Sequence, residues 1–252
     1  MKIAHCQSVI TTVLIGIFSL MSNVCLGSTD DLKLLYEKYK GTEGLEFHSQ
    51  FDQDRYLYQK FFKEKRNGIF VDIGAHDGVT FSNTYFFEKT MGWTGICIEP
   101  IPEVFQCLKN ARDALCIQGC ISSHQGTVPF LRIKGDSEML SGILNNYDPE
   151  HLNRVQQELE AYGGSAEIIT VQCYDLTTLL LSQGLTHIDY MSIDTEGGEL
   201  EILKSLDFRA IEVEVIDVEN NLGTDRFKDF LEPLGYKRVI KLGVDEIYAR
   251  EK

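Results

Sequence analysis

Residues 70–110 read FVDIGAHDGVTFSNTYFFEKTMGWTGICIEPIPEVFQCLKN, and this stretch indicates the fold class. Residues 69–72 are a short apolar run that ends in an acid and is followed by a glycine, as at the end of a buried strand. Residues 95–98 are a second such run ahead of Glu99, and residues 102–110 have apolar side chains at helical spacing behind a proline. Strands and helices in this order are typical of an α/β protein.

The alternation of apolar runs and helical patterns continues to the end of the chain. We predict further strands at residues 114–118, 127–133, 167–171, 188–193 and 211–218, and helices at residues 80–90, 149–162, 176–182, 199–205 and 225–234. Residues 236–240 and 246–250 are expected to pair around Gly243 as a closing hairpin. This order predicts a mainly parallel sheet with helices on both faces, and such sheets bind ligands beyond the carboxyl ends of their strands.

The composition excludes several classes of protein. The chain has 252 residues, 43% of them hydrophobic, which is ordinary for a globular protein with one good-sized domain. The formal net charge is −14, and this argues against nucleic acid as a main partner, because neutralising phosphates requires a basic face. It also disfavours binding to anionic lipid. The sequence gives no indication of an oligomeric state.

The first residues differ from the remainder of the chain. Residues 9–20 read VITTVLIGIFSL, shorter than the roughly 20 apolar residues that a membrane span requires. We predict that residues 1–27 are a signal peptide, with Gly27 at a possible cleavage point, or a hydrophobic anchor; a start codon upstream of the true one is the alternative. The protein is then exported or held to a membrane by this segment alone, or is cytoplasmic. Residues 28–60 are predicted to be a helical segment, and residues 61–252 the main domain.

The cysteines point to neither a disulfide framework nor a zinc site. Five of the seven follow residue 27, an odd number in a chain long enough to build a core without crosslinks. There is no C-x-x-C pair, and Cys116 and Cys120 have no second pair that would complete a zinc site. We expect most of the five to be small buried residues.

Acidic residues follow three of the predicted strands: Asp72, Glu99 and Asp194. The carboxyl ends of parallel strands meet at one edge of the sheet, so these acids are expected to line one ligand site. Capping of the following helices is the alternative role.

The loop after the first predicted strand favours one cofactor over another. Gly74 and Gly78 let the backbone approach a ligand, and Glu99 can accept hydrogen bonds from a ribose, which fits either a nicotinamide cofactor or S-adenosyl-L-methionine. The loop reads G-x-x-x-G instead of G-x-G-x-x-G, and Asp77 stands where a pyrophosphate would lie. S-adenosylmethionine has no phosphate and is net cationic, so it is favoured, whereas a nicotinamide cofactor requires Asp77 to point away.

Three stretches together resemble the FkbM family of S-adenosylmethionine-dependent methyltransferases. They are the stretch at residues 70–110, IDYMSIDTEGGELEILKSLDF at 188–208, and IDVENN at 216–221 followed by the terminal DEIYARE. The likeness covers about residues 61–252. It implies a class I methyltransferase Rossmann-like fold, a seven-stranded sheet whose last strand is antiparallel. Family members normally lack a secretory leader, and their cofactor is made in the cytosol.

The resemblance also implies roles for individual residues. The residues that match the motif around the methionyl part of the cofactor are Asp72, Gly74, Ala75, His76 and Gly78. Glu99 matches the acid that binds ribose, and Cys120 and Ile121 match the adenine region. Asp194 and Glu196 match acids beside the methyl-transfer centre, and Glu219 an acid at the end of the next strand. The predicted cofactor-binding residues are Asp72, Gly74, Ala75, His76, Asp77, Gly78, Glu99, Pro100, Cys120, Ile121 and Asp194.

The predicted reaction is methyl transfer to a hydroxyl of a sugar or other small molecule, with Asp194 or Glu196 as the general base. In the alternative, Asp194 orients the ammonium group of the cofactor and Glu196 holds the loop. Residues 135–164 are expected either to close over the acceptor or to form a solvated helix. A non-catalytic nucleoside-binding protein and a nicotinamide-dependent oxidoreductase remain open. No metal is predicted, although Asp194, Glu196 and Glu219 are oxygen donors that a metal-dependent enzyme could use.

Overall fold

A computed structural model describes residues 38–123, 125–147 and 149–251. The predicted leader at 1–27 and the start of the helical segment at 28–37 lie outside these residues. The chain divides into two compact units, Met1–Glu46 and Phe47–Lys252. In the first unit, Lys38 and Tyr39 are helical and a turn follows. Within the described residues, no helix is long and apolar enough to cross a membrane.

The second unit is built on a seven-stranded sheet in the order β10-β11-β9-β8-β1-β2-β3. Its strands are β1 (Ile69–Ile73), β2 (Thr94–Glu99), β3 (Leu115–Gln118), β8 (His187–Ile193), β9 (Glu212–Glu219), β10 (Tyr236–Leu242) and β11 (Asp245–Arg250). The first five pair in parallel, whereas β11 pairs antiparallel with both β9 and β10. The expectation of a mainly parallel seven-stranded sheet with an antiparallel last strand is confirmed.

Helices cover both faces of this sheet. The helices of this unit are α1 (Gln53–Leu57, continued by a π-helical turn at Tyr58–Phe62), α2 (Tyr85–Lys89), α3 (Pro102–Ala111), α4 (Pro149–Tyr162), α5 (Leu176–Ser182), α6 (Glu199–Ser205) and α7 (Arg226–Leu231), of which α4 packs against residues outside this sheet. On one face, α5, α6 and α7 join a core cluster that includes Met191 of β8. Tyr190 precedes Met191 in β8, and its side chain points to the opposite face of the sheet. Its ring centroid lies 5.6 Å from that of Phe87 in α2.

A second sheet of four strands lies outside the main sheet, in the order β4-β7-β5-β6. Its strands are β4 (Cys120–Ile121), β5 (Gly126–Lys134), β6 (Gly142–Ile143) and β7 (Ser165–Tyr174). The sequence predicted strands at 127–133 and 167–171 but gave no sign that they leave the main sheet. They pair with each other antiparallel. Covered and exposed residues alternate over residues 169–173 of β7, because only one face of this part of the sheet is buried.

A disulfide between Cys120 and Cys173 corrects the expectation that these cysteines are simple buried residues. Both are buried, as expected, but they face each other in register across β4 and β7 with their Cα atoms 4.6 Å apart. They are separated by 53 residues in the chain, so only the pairing of the two strands brings them together.

Two predicted helices are shorter than expected. The helix predicted at 80–90 begins only at Tyr85, because residues 77–84 form a hydrogen-bonded loop. The described part of the segment at 28–60 is helical only at its two ends, at 38–39 and from Gln53 onward.

Candidate active site

A cavity of about 480 Å³ opens at the carboxyl ends of β1, β2, β8 and β9. The three acids that were predicted to meet there, Asp72, Glu99 and Asp194, all line it. Part of the opposite wall comes from the second sheet and from the turn that includes Glu138. The strand ends and the second sheet therefore enclose one site between them.

Gly74 sits where the first strand turns into the cavity. Its backbone is left-handed (φ +90°), and a Cβ atom there would lie 1.7 Å from the carbonyl oxygen of Asp194. The N–H groups of Gly74 and Ala75 both donate to the carbonyl of Ile98, at 3.0 Å. Only glycine fits this point, where β1 and β8 bring bare backbone to the cavity wall.

His76 links the first strand of the main sheet to the turn that carries Glu138. Its backbone N–H donates to Glu99 at 3.1 Å, and its Nε2 lies 3.0 Å from Glu138 Oε1. The φ of His76 is +48°, in the left-handed region, so these contacts hold an uncommon backbone conformation.

Glu99 is the buried acid at the end of β2. Its two carboxylate oxygens accept one backbone N–H each, from His76 and from Ile101. Burial raises the pKa of Glu99 to about 7, against the lowering effect of these two hydrogen bonds. Each oxygen keeps a second lone pair, so the carboxylate can still accept hydrogen bonds from a ligand.

Asp72 belongs to a buried ion network beneath the cavity. Its carboxylate accepts a hydrogen bond from Thr84 and lies 3.8 Å from the guanidinium of Arg112, which is in turn 2.8 Å from Glu88. Burial raises the pKa of Asp72, and the charge of Arg112 opposes this. The role of Arg112 in this network was not predicted, because a basic residue just after a helix is ordinarily exposed to solvent.

One end of the cavity is apolar. It is lined by Pro100, Ile101, Cys120, Ile121 and Phe130. Cys120 contributes through its disulfide to Cys173, so its sulfur is not a thiol. This end of the cavity offers flat apolar surface beside Glu99, which suits a purine ring next to a ribose.

The other end is an acid cluster. Asp194, Glu196 and Glu219 each have a carboxylate oxygen within 4.8 Å of those of the other two. The side chain of Asp194 is exposed to the cavity, and the dense protein around the cavity, together with the charge of Glu219, raises its pKa above the ordinary value. Burial and the charge of Glu196 do the same to Glu219.

Glu196 stands at the edge of this cluster in a left-handed backbone conformation (φ +53°). Its Oε2 accepts a hydrogen bond from Asn221 at 3.4 Å and lies 3.7 Å from both His151 and Arg154. Burial and the neighbouring Asp194 raise the pKa of Glu196 to about 8. This group can therefore exchange a proton near neutral pH.

The lining of the cavity is strongly acidic. Among the described residues it holds one arginine, Arg154, one histidine, His76, and nine acids: Asp72, Glu99, Asp136, Glu138, Glu158, Asp194, Glu196, Glu219 and Asp245. Such a cavity favours a cationic ligand over an anionic one.

A sequence model described as the methyltransferase FkbM domain matches residues 72–238. This chain belongs to the FkbM methyltransferase family. It is similar to the protein named methyltransferase sdnD of Sordaria araneosa, with 28% identity over 181 residues, which cover 61% of this chain and 69% of that protein.

Solved structures of methyltransferases are also similar to the chain. A structure titled METTL16 MTase domain has a TM-score of 0.43 and 13% identity, covering 90% of this chain and 71% of that one. Methyltransferase FkbM from Methylobacillus flagellatus KT has a TM-score of 0.42 and 15% identity, covering 85% of this chain and 47% of that one. The sequence match at residues 72–238, and not the likeness to these structures, shows the family.

The order of the seven strands in this FkbM family member, with β11 antiparallel between β9 and β10, is the class I methyltransferase fold. The structure gathers most of the predicted residues at the cavity. Its lining includes Asp72, Gly74, Ala75, His76, Glu99, Pro100, Cys120, Ile121, Asp194 and Glu196.

Asp77 is one of two predicted cofactor-binding residues that do not line the cavity. Its carboxylate accepts hydrogen bonds from the N–H groups of Val79 and Thr80 and from the Thr80 hydroxyl, at 2.7–2.8 Å, and Asp77 does not line the cavity. Burial acts to raise the pKa of Asp77, but these hydrogen bonds lower it overall. An aspartate that bonds the backbone two and three residues ahead stabilises its own turn, so its carboxylate does not face a cofactor phosphate.

Gly78, also predicted to bind the cofactor, serves the same turn. Its carbonyl accepts a hydrogen bond from Arg112 at 3.1 Å, and a Cβ atom there would meet Leu108 and Arg112. It does not line the cavity.

Sequence reasoning missed four acids of the cavity lining: Asp136, Glu138, Glu158 and Asp245. Asp245 faces Glu219 in register between β11 and β9 and accepts a hydrogen bond from Gln53. Asp245 opens the terminal DEIYARE stretch that resembles the family, and this could have marked it as a site residue. An acid close to a hairpin glycine is, however, ordinarily part of the turn. Glu138 gave no signal, because its place opposite His76 depends on the second sheet.

Proposed function

We propose that this chain transfers a methyl group from S-adenosylmethionine to a hydroxyl of a sugar or other small molecule. The observation that carries the proposal is the cluster of Asp194, Glu196 and Glu219 beside the bare backbone at Gly74. It combines a negative wall with a group able to accept a proton. These are the two requirements for binding a sulfonium and activating an alcohol.

The cavity fits this cofactor in shape and charge. The carboxylate of Glu99 has lone pairs left for the ribose hydroxyls, and Ile101, Ile121 and Phe130 offer an apolar wall for the adenine. Gly74 leaves room for the amino-acid part, and the cationic groups of the cofactor lower the raised pKa of Asp194, which then supplies negative charge to them. When bound, S-adenosylmethionine supplies an electrophilic methyl group.

The residues of this chain then position and activate the acceptor. Glu196, with a pKa of about 8, accepts the proton of the attacking hydroxyl, which is worth roughly 10²- to 10⁴-fold in rate. Asn221 and Arg154 flank the same oxygen and hold the carboxylate in place. Holding the hydroxyl in line contributes about 7–11 kcal/mol more.

One titration and two activity assays test the proposal. Calorimetry with S-adenosylhomocysteine should show binding, and absence of binding would overturn the cofactor assignment. A methyl-release assay with S-adenosylmethionine and candidate acceptors separates an enzyme from a nucleoside-binding protein. Activity that is lost on chelation and restored by magnesium would instead support a metal at Asp194, Glu196 and Glu219, whose oxygens suit a hard cation.

A nicotinamide-dependent oxidoreductase is the second candidate, because one observation favours it. It requires Asp77 to point away from the cofactor, and Asp77 does so. The nine acids of the cavity weigh against a pyrophosphate. Fluorescence titration with NADH, run beside the S-adenosylhomocysteine titration, discriminates the two.

We also infer that the protein is exported or anchored through residues 1–27, with a cytoplasmic location as the alternative. The Cys120–Cys173 disulfide supports this, since disulfides persist mainly in oxidising compartments. An exported enzyme needs a supply of cofactor outside the cytosol. Cell fractionation, with thiol alkylation before and after reduction, tests both the location and the bond.

A further inference from the structure

A second cavity, of about 310 Å³, lies beside the first, and the two share Asn146, Arg154, Glu196, Gly197 and Asn221. Its lining comes from the 3-10 turn after β6 with helix α4, from Glu196 and the glycines after it, and from the segment between Asn221 and Arg226.

Helix α4 turns a polar stripe toward this cavity. Val155 is buried and, with Leu159, packs the helix against the second sheet, in one cluster with Ile133 and Leu140. The cavity is lined instead by Glu150, Asn153, Arg154 and Gln157, which recur at the spacing of one helix face. Packing fixes the helix, so this stripe is presented in a defined position.

An aromatic surface stands beside the stripe. The rings of Tyr147 and His151 stack with centroids 4.4 Å apart and planes 22° apart. The Tyr147 hydroxyl donates to the carbonyl of Leu140, which anchors the ring. A rigid ring surface of this kind packs against the C–H face of a ligand.

The charges in this cavity are already balanced. Arg154 lies 3.2 Å from Glu158, and Arg226 lies 3.5 Å from Glu199. Glu158 and Glu199 lie outside the lining of this cavity and Glu150 lies in it, so these acids leave no excess of positive charge for a phosphate or a carboxylate. What remains is a set of amide groups that both donate and accept hydrogen bonds, in Asn146, Asn153, Gln157 and Asn221.

We propose that this second cavity is the acceptor site and that the acceptor is a neutral polyhydroxylated molecule, a carbohydrate, whose reacting hydroxyl reaches the first cavity beside Glu196. The assignment of this role rests on the proposed function. A sugar presents the hydroxyl groups that paired donors and acceptors recognise, together with an apolar ring face that stacks on the surface of Tyr147 and His151.

The test measures binding of simple methyl glycosides, such as methyl β-D-glucopyranoside, to the protein loaded with S-adenosylhomocysteine. Ligand-observed NMR titrations compare the wild type with Gln157→Leu and with Gln156→Leu. The two residues are neighbours on α4, but only Gln157 lines the cavity, and Gln156 pairs with Glu160. We expect Gln157→Leu to weaken glycoside binding roughly three- to tenfold and Gln156→Leu to leave it unchanged.

Several outcomes would overturn the acceptor assignment. They are no glycoside binding, equal binding by both variants, or binding restricted to methyl glucuronides and sugar phosphates. Failure of S-adenosylhomocysteine to bind would instead count against the proposed function. The titration is therefore repeated without the nucleoside. A loss of glycoside affinity in Gln157→Leu but not in Gln156→Leu would still support a carbohydrate site, and glycoside affinity that is unchanged in Gln157→Leu would reject one.

Discussion

The carbonyl oxygen of Asp194 lies only 1.7 Å from the point where a Cβ atom on Gly74 would stand. The two residues end neighbouring parallel strands, and the Asp194 N–H donates to the carbonyl of Ile73 at 3.0 Å. The first cavity therefore begins where β1 and β8 end side by side, and the missing side chain of Gly74 leaves room there for the backbone of Asp194.

Replacing Gly74 by alanine should separate the two strand ends. The added methyl group meets backbone, which cannot move aside, and the residue is held at φ +90°, so we expect a loss of about 3 kcal/mol or more in stability. Gly92→Ala is the matched control, because Gly92 has φ +71° but nothing within 4 Å of a Cβ atom. Urea denaturation measures both variants, and equal losses would contradict the contact.

Replacing Glu196 by glutamine should remove the proton acceptor and keep the shape of the site. We expect kcat to fall roughly 10²- to 10⁴-fold while the affinity for S-adenosylhomocysteine stays unchanged. In the wild type, activity should rise with pH through the Glu196 pKa of about 8, and the variant should lose this rise. Glu201→Gln, an exposed acid on α6, is the control and should behave as wild type.

An unchanged pH profile in Glu196→Gln would show that another group accepts the proton. Asp194 is the next candidate, because it lines the same cavity and its pKa is also raised.

The main sheet could be predicted from the sequence, because its strands are short apolar runs bounded by helical patterns. The stretches at 176–182 and 199–205 are helical at the predicted residues. The second sheet could not be predicted, since alternation of apolar and polar residues reports one buried face and not the sheet to which a strand belongs. The disulfide depends on that same pairing of β4 with β7.

The candidate site, like the fold, could be predicted from the sequence only in part. Acids at the strand ends meet because parallel strands share an edge, so Asp72, Glu99 and Asp194 could be placed from their positions alone. The direction of the Asp77 side chain could not be predicted, because hydrogen bonds within four residues of the loop decide it. The spacing of residues in the sequence does not show which local hydrogen bonds a side chain makes.

Glu99 should make the protein less stable as pH rises. Its folded pKa of about 7 exceeds the ordinary 4.5, so the folded state holds the proton more tightly, and the stabilisation present below about pH 4.5 is lost on passing pH 7. This loss is worth about 3 kcal/mol. Glu99→Gln should abolish that part of the pH dependence, as measured by urea unfolding at about pH 5 and about pH 8.

The control for this prediction is Glu103→Gln, an exposed acid on the following helix, which should keep the wild-type pH dependence. If Glu99→Gln keeps it as well, the carboxylate of Glu99 does not carry a raised pKa.

The disulfide should stabilise the second sheet and the apolar end of the first cavity. It closes a loop of 53 residues, and breaking such a crosslink costs about 2–4 kcal/mol. Cys173→Ser should therefore lower the midpoint of urea unfolding under non-reducing conditions, and a reducing agent should lower the wild type to a similar value. Cys107→Ser, at an exposed free cysteine, should change neither. Because Cys120 lines the cavity, Cys173→Ser should also weaken S-adenosylhomocysteine binding, and unchanged affinity would show that the disulfide acts on stability alone.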